Sequence, residues 1–332
     1  MLVTSIHQHA GLGNQIWRYV CCRVFAERMG YDWGVSHPGW RGKFLNVDWG
    51  KDVPFNVEED SDFKPDQGFE YYKEESIHHA TAPGEIGAPD LNFLKIKDNT
   101  YINGTFQKMS YISASRDKIK NWLTYDDKYK LDKYSDEDIC VIQLRGGDYT
   151  TGHSMLPPDY YHMAMGHMKD NNPNIKFVIV TDDPNTARRM IPNTPIVGSA
   201  MSNEIDLDQK FISWYEYKGG PVSMDYSILN TAKYAIISSS TFSFWPVWLN
   251  DQLLNVIAPK YWFDWSRSDG WWRPKDGIVD DERWLWLDKD NGLYESNTCI
   301  KHAKNYYSRY LWHYMDGSEQ RMRFLMHMQH HA

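Results

Sequence analysis

The chain has 332 residues, 42% of them apolar, 24% charged and 15% aromatic, and its 36 Lys plus Arg against 44 Asp plus Glu leave a formal charge of −8. That content of aromatic and branched residues excludes a disordered chain, and the acidic balance argues against a nucleic-acid binder working through a basic face. The 15 tryptophans stand out, because a mean hydropathy of −0.64 concentrates the apolar content in large amphipathic rings.

Residues 2–6 alternate as a short strand, and Gly11-Leu12-Gly13-Asn14-Gln15 reads as a Gly-rich turn behind it. Helical spacing then begins at Ile16 and runs to a stop at Gly30, and Tyr31 to Val35 reads as the next strand. Residues 36–92, with scattered Pro, Gly, Asp and Trp, are expected to be loop-rich. Thr100 to Asn103 suits a strand and Tyr111 to Leu123 a helix. The second half is cleaner: Ile139–Leu144, Lys176–Val180, Pro195–Val197, Tyr234–Ile237 and Asn255–Ala258 read as strands. Asp159–Met168, Asn185–Met190, Asp225–Thr231 and Phe242–Leu249 read as the helices between or beside them. Continuous apolar strands alternating with helices imply parallel sheets covered on both faces. The class is therefore α/β, with two doubly wound domains expected at 1–130 and 131–300 and a helical tail at 301–332. Cys21, Cys22, Cys140 and Cys299 lack metal-knuckle or disulfide spacing, and no run suits a membrane span, so a cytoplasmic protein with buried reduced thiols is expected.

In open parallel sheets ligands bind beyond the carboxyl ends of the strands, and four motifs fall there. Gly11 to Gln15 would let backbone approach a ligand at a helix start, or would simply be a tight turn. Gln143-Leu144-Arg145-Gly146-Gly147-Asp148-Tyr149 presents a forked cation beside two glycines, suited to phosphate or carboxylate, or closed into an internal Arg145–Asp148 pair. Thr181-Asp182-Asp183-Pro184 offers two carboxylates for ribose or the paired N–H donors of guanine, with Asp183 alternatively a helix cap. Neither a His nor a third carboxylate stands near them in sequence, and no metal is expected. Ser238-Ser239-Ser240-Thr241 puts four hydroxyls before a helix start, where one suffices as a cap and the rest can seat an anion.

As an ordered set these motifs resemble glycosyltransferase family 11, the α-1,2-fucosyltransferases. Gly11 to Gln15, with an aromatic residue and Tyr19 following, resembles the family's GGLGNQ opening. Tyr101 to Gln107 resembles Tyr-x-x-Gly-Tyr-Trp-Gln, Gln143 to Tyr149 resembles His-x-Arg-Arg-Gly-Asp-Tyr, and Val180 to Pro184 carries the Ser-Asp-Asp position. Ile237 to Leu249 resembles Asn-Ser-Ser-Phe-Ser-Trp-Trp-Gly-Ala-Trp-Leu, and Val256 to Phe263 resembles Ile-Ala-Pro-Lys-x-Trp-Phe. The departures are Gln143 for His, Gly146 for the second Arg, Ser239 for Asn, Phe244 for Trp and Pro246 for Gly.

The resemblance implies a GT-B architecture, two Rossmann-like domains facing a cleft. It also implies metal-independent, inverting transfer of fucose from GDP-fucose, with no cofactor, to a glycan hydroxyl such as the 2-OH of galactose. Arg145 and Asn14 are then the expected catalytic residues, with Asn14 reaching the sugar or phosphate from the first domain. The nucleotide sugar would meet Gly11, Gly13, Gln143, Asp148, Asp182, Asp183, Ser239, Ser240 and Thr241. His7 and His9, at a strand end, are expected on the acceptor side; Trp271 and Trp272, in a stretch with six tryptophans between 262 and 286, could stack on a sugar or equally be the aromatic packing of a strand-poor C-terminal segment. Another nucleotide sugar as donor, or a non-catalytic carbohydrate- or nucleotide-binding protein on the same fold, are the alternatives that Gln143 and Gly146 raise.

Overall fold

A computed structural model describes residues 1–6, 10–54, 68–74, 93–151, 155–199, 222–260 and 279–306. Strand β1 (Leu2–Ser5) is buried along its whole length, and helix α1 (Leu12–Met29) follows it. The helix starts four residues before the expected Ile16, so Leu12 to Gln15 form its first turn and not a loop ahead of it. Side-chain fastening explains the early start: Gln15 donates to Gly39 O at 2.7 Å and accepts from the Arg41 amide at 2.9 Å. At the other end Gly30 adopts φ +71° and its N–H closes on Ala26 O and Glu27 O, a left-handed cap that glycine provides without a Cβ penalty.

Strands β2 (Trp33–Ser36), β3 (Glu70–Lys73) and β4 (Thr100–Asn103) complete a four-stranded parallel sheet in the order β2-β1-β4-β3. β3 falls inside the stretch expected to be loop; it is a polar edge strand, exposed at Glu70 and Lys73, and leaves no apolar alternation to read. The single helix expected over 111–123 is broken into α2 (Met109–Ile112), a 3-10 turn at Ser113–Ser115 and α3 (Arg116–Trp122). Two serines flank Ala114 in the break, and Arg116 beyond it is drawn onto Trp248 O at 3.0 Å and Asp251 at 2.9 Å.

The second sheet is built from β5 (Ile139–Leu144), β6 (Lys176–Thr181), β7 (Ile196–Ser199), β8 (Tyr234–Ile236), β9 (Asn255–Pro259), β10 (Trp284–Leu287) and β11 (Leu293–Glu295). Its order is β11-β10-β9-β8-β5-β6-β7, and only the β10–β11 pair is antiparallel. Helices α4 (Pro158–Asn171), α5 (Pro184–Met190), α6 (Val222–Thr231), α7 (Thr241–Trp248) and α8 (Ser296–Tyr306) accompany it. Two of the clustered tryptophans are explained by β10, where Trp284 and Trp286 share the period-two face of a strand and are both buried. Chain order reverses between β1 and β4 in the first sheet and between β5 and β8 in the second. Those are the switch points where an open α/β sheet leaves a crevice.

The two units meet where α1 and α7 begin. A Cβ on Gly13 would overlap the Thr241 carbonyl group and stand 2.5 Å from the Phe242 amide nitrogen, so only glycine allows the approach. The fully buried Trp245 donates its indole N–H to Gly13 O at 3.0 Å. Trp17 stacks on Phe244 at 5.1 Å between ring centroids, and Phe244 stacks on Trp248 at 5.5 Å. Trp17, Trp245 and Trp248 are therefore packing residues, each such pair adding about 0.5–1.5 kcal/mol beyond area burial. Gly13→Ala is expected to lower stability by about 1–3 kcal/mol through overpacking. Gly11→Ala, with nothing within 4 Å of the added Cβ, is expected to stay within about 0.5 kcal/mol of the wild type. Urea unfolding of the two variants measures both.

Candidate functional site

The end of β5 carries the forked cation. One terminal nitrogen of Arg145 donates to Asp182 and the other to Asp148 at 2.6 Å, and the guanidinium lies over the Tyr149 ring at 5.0 Å. The two glycines that follow are dictated by the end of β6: a Cβ on Gly146 would meet the Asp183 Cβ at 2.5 Å. Gly147, at φ +50°, would meet an Asp182 oxygen at 2.8 Å. The Gly146 amide also donates to Asp182 at 2.8 Å. The internal Arg145–Asp148 pair is thus present, and Asp182 is added to it.

The two aspartates after β6 titrate in opposite directions. Burial pushes the Asp182 carboxyl up, with Arg145 and the Gly146 amide opposing. Burial also acts on Asp183, but its bonds to Thr186 win and hold its carboxyl below the usual value. Asp183 is the N-cap of α5, accepting from the Thr186 amide at 3.0 Å and hydroxyl at 2.7 Å.

After β8, Ser240 caps α7 by accepting from the Phe242 amide at 3.3 Å. Ser239 is buried, and its hydroxyl has no hydrogen-bond partner in the structure. Gln143, also buried, accepts from the amide and hydroxyl of Ser238, so it fastens β5 to the loop after β8 from beneath. Tyr149 links the two loops at the surface, donating to Ser239 O at 3.2 Å.

From the first unit, Asn14 Oδ1 accepts from Thr241 Oγ1 at 2.7 Å and from Gln107 Nε2 at 3.0 Å. Residues following β1, β4 and β8 therefore meet at one point, and the carboxyl ends of both sheets face each other there. Gly11 is exposed at the head of α1 with open space beside it, whereas Gly13 is closed off against α7. For Gly13 the structure shows close packing against α7. His7, His9, Trp271 and Trp272 lie outside the described residues.

Two groups at the crevice were not among the expected site residues. Gln107 ends a recognisable motif but owes its place to Asn14, a partner 93 positions away. Arg18 reaches from α1 across the ends of β1 and β4 to Ser5 O at 3.3 Å and Asn103 at 3.2 Å, and helical spacing alone marks it only as a polar position. Among the described residues no group of three or more His, Cys, Asp or Glu side chains is placed to hold a metal ion, and no helix is long and apolar enough to cross a membrane.

The two open sheets, parallel but for the β10–β11 edge, define with their switch points a two-unit α/β protein of the GT-B kind. A family model described as glycosyl transferase family 11 matches residues 84–275, more than half of the chain, and the chain belongs to that family. It is 25% identical over 189 residues to the O-antigen biosynthesis glycosyltransferase WbnK of Escherichia coli, covering 51% of this chain and 57% of that protein. It is 26% identical over 184 residues to an alpha-1,2-colitosyltransferase of Escherichia coli, covering 51% and 58%. The chain thus spans little more than half the length of the curated relatives it matches. Among solved structures, the fucosyltransferase NodZ from Bradyrhizobium is similar with a TM-score of 0.42 and 14% identity, over 76% of this chain and 94% of that one.

The opposed carboxyls give a pH expectation. Asp183, with its pKa depressed, contributes stability that is full above the ordinary carboxylate value and is lost as pH falls through the depressed one. Asp182 protonates earlier on the way down and loosens its hold on Arg145 first. Carboxyl-carbon NMR titration is expected to place the Asp182 midpoint above that of Asp183; the reverse order would contradict the assignment.

Proposed function

We infer that the protein is an inverting glycosyltransferase that moves fucose from GDP-fucose to a hydroxyl of a glycan, the 2-OH of galactose being the first candidate, without a metal ion. The observation that supports it most is the position of Arg145, a permanent cation at a switch point, lying over the Tyr149 ring whose hydroxyl bonds Ser239 O just before α7. Departure of the diphosphate puts negative charge on the β-phosphate. Arg145, turned from its carboxylates, and the Ser239–Thr241 amides and hydroxyls would neutralise that charge as it develops. Asn14, already shared between the two units, would meet the sugar or phosphate from the first one. A nucleoside contact through Asp182 or Asp183 requires a change of partners, because Asp183 is engaged by Thr186 and Asp182 by Arg145 and Gly146.

A second donor is favoured by one local fact. Gln143, standing where the resembled motif has His, is buried and holds the amide and hydroxyl of Ser238, so the family's residue and its imidazole chemistry are absent at that position. The reading then keeps the transfer chemistry and changes the sugar or base. All four cysteines are buried and free, which fits work in a reducing compartment such as the cytoplasm.

Transfer assays with GDP-fucose, GDP-mannose and UDP-sugars decide between them. We expect turnover with GDP-fucose that survives EDTA and falls about 100- to 1,000-fold in Arg145→Ala, the cost typical of losing one such donor group. Turnover only with another donor would retain the chemistry and replace GDP-fucose. Nucleotide binding without turnover across all donors and acceptors would favour a binding protein instead.

A further inference from the structure

Beyond β3 the chain places a carboxylate in a site closed to solvent. The Glu74 side chain is 1% exposed, and its Oε1 lies 3.0 Å from Nζ of Lys108, itself 10% exposed. Its Oε2 accepts from the backbone amides of Thr105 at 2.9 Å and Phe106 at 2.8 Å. Buried charges persist where they are paired and hydrogen-bonded; Glu74 is paired through Oε1, which makes no hydrogen bond, and hydrogen-bonded through Oε2. What Glu74 holds is the turn after β4. Gly104 has no room for a side chain there, since a Cβ would stand 2.5 Å from the Glu74 Cβ and 2.7 Å from its Oε2. Phe106, fully buried, sits at φ +52°, a left-handed conformation that bulky residues adopt only when their surroundings enforce it. The next residue is Gln107, whose amide meets Asn14 and, through it, Thr241 at the head of α7.

We propose that Glu74 is a positioning residue for the crevice. By binding the Thr105 and Phe106 amides while neutralised by Lys108, it enforces the left-handed turn that aims Gln107 at Asn14. It thereby sets the wall that the first unit presents to the reacting sugar. Glu74 acts through the turn and not on the substrate, because its side chain is buried, with Oε1 against Lys108 and Oε2 on the turn amides. The inference rests on the glycosyltransferase reading for its kinetic consequence and on geometry alone for its structural one.

Three variants test it: Glu74→Ala, Gln107→Ala, and Glu74→Gln combined with Lys108→Met. The double variant keeps an amide oxygen for the two turn amides and leaves no buried cation unpaired. In Glu74→Ala, amide exchange over residues 104–108 is expected to accelerate at least about tenfold while β1 and α1 keep their protection, the pattern of a local opening. Its kcat is expected to fall about 10- to 100-fold, the scale of a misplaced positioning group, with the Kd for GDP within about twofold of the wild type. Gln107→Ala should reproduce that kcat loss, and the double variant should recover most of the activity and the exchange protection. Unchanged exchange in Glu74→Ala would overturn the proposal, as would a double variant as impaired as Glu74→Ala or a fall in GDP affinity matching the loss in kcat. If Glu74→Ala does not fold, an unaltered kcat in Gln107→Ala overturns it equally. If the wild type transfers no sugar, the glycosyltransferase reading fails, and the exchange comparison still decides whether Glu74 holds the turn.

Discussion

The absence of a side chain at Gly13 is the constraint on which the rest of the structure depends. Only there can the first turn of α1 lie against the carbonyl of Thr241 and the amide of Phe242. That approach lets the Trp245 indole reach Gly13 O and brings Trp17 against Phe244. It also sets the distance at which Asn14 and Thr241 share a hydrogen bond. Two helix starts, one from each unit, are held side by side in this way. Wider separation at this seam would dissolve the polar junction of Asn14, Gln107 and Thr241 as a unit.

Around that seam the polar groups follow one pattern. Each is held by the protein itself, so little reorganisation is left for the moment of binding. Arg145 sits between two carboxylates, Gln143 is fixed beneath Ser238, and Asp183 is spent as a cap. The exception is the Ser239 hydroxyl, buried without a partner at the head of α7; an unsatisfied group of this kind costs about 1–3 kcal/mol. Arg145 is the group that could change partner at least cost: a guanidinium exchanging one oxyanion for another keeps its charge partner type and its forked geometry. A diphosphate would replace Asp182 and Asp148 on like terms.

The strands of the second sheet were legible because β5 and β6 are buried on both faces and read as unbroken apolar runs. The site motifs were legible because charged and hydroxyl residues cluster just where those runs stop. Other features carried no local signal. The polar β3 is an edge strand and has no buried face to announce it. The start of α1 looked like a turn because glycine at position 13 signals flexibility in sequence, whereas its use is packing against a residue 228 positions on. Glu74 stood in a stretch that reads as loop, and its meaning comes from amides 31 and 32 residues away. Trp284 and Trp286 belonged to a cluster without helical periodicity, and two short strands explain them once β9 supplies a neighbour.

The central claim is that the crevice between the two switch points receives a nucleotide diphosphate on Arg145. A crystal structure of the protein with GDP tests it most directly. The account predicts the β-phosphate within hydrogen-bond reach of Arg145 and of the Ser239–Thr241 loop, with the Arg145–Asp182 pair opened. GDP bound elsewhere, with Arg145 still closed on Asp182 and Asp148, would contradict it.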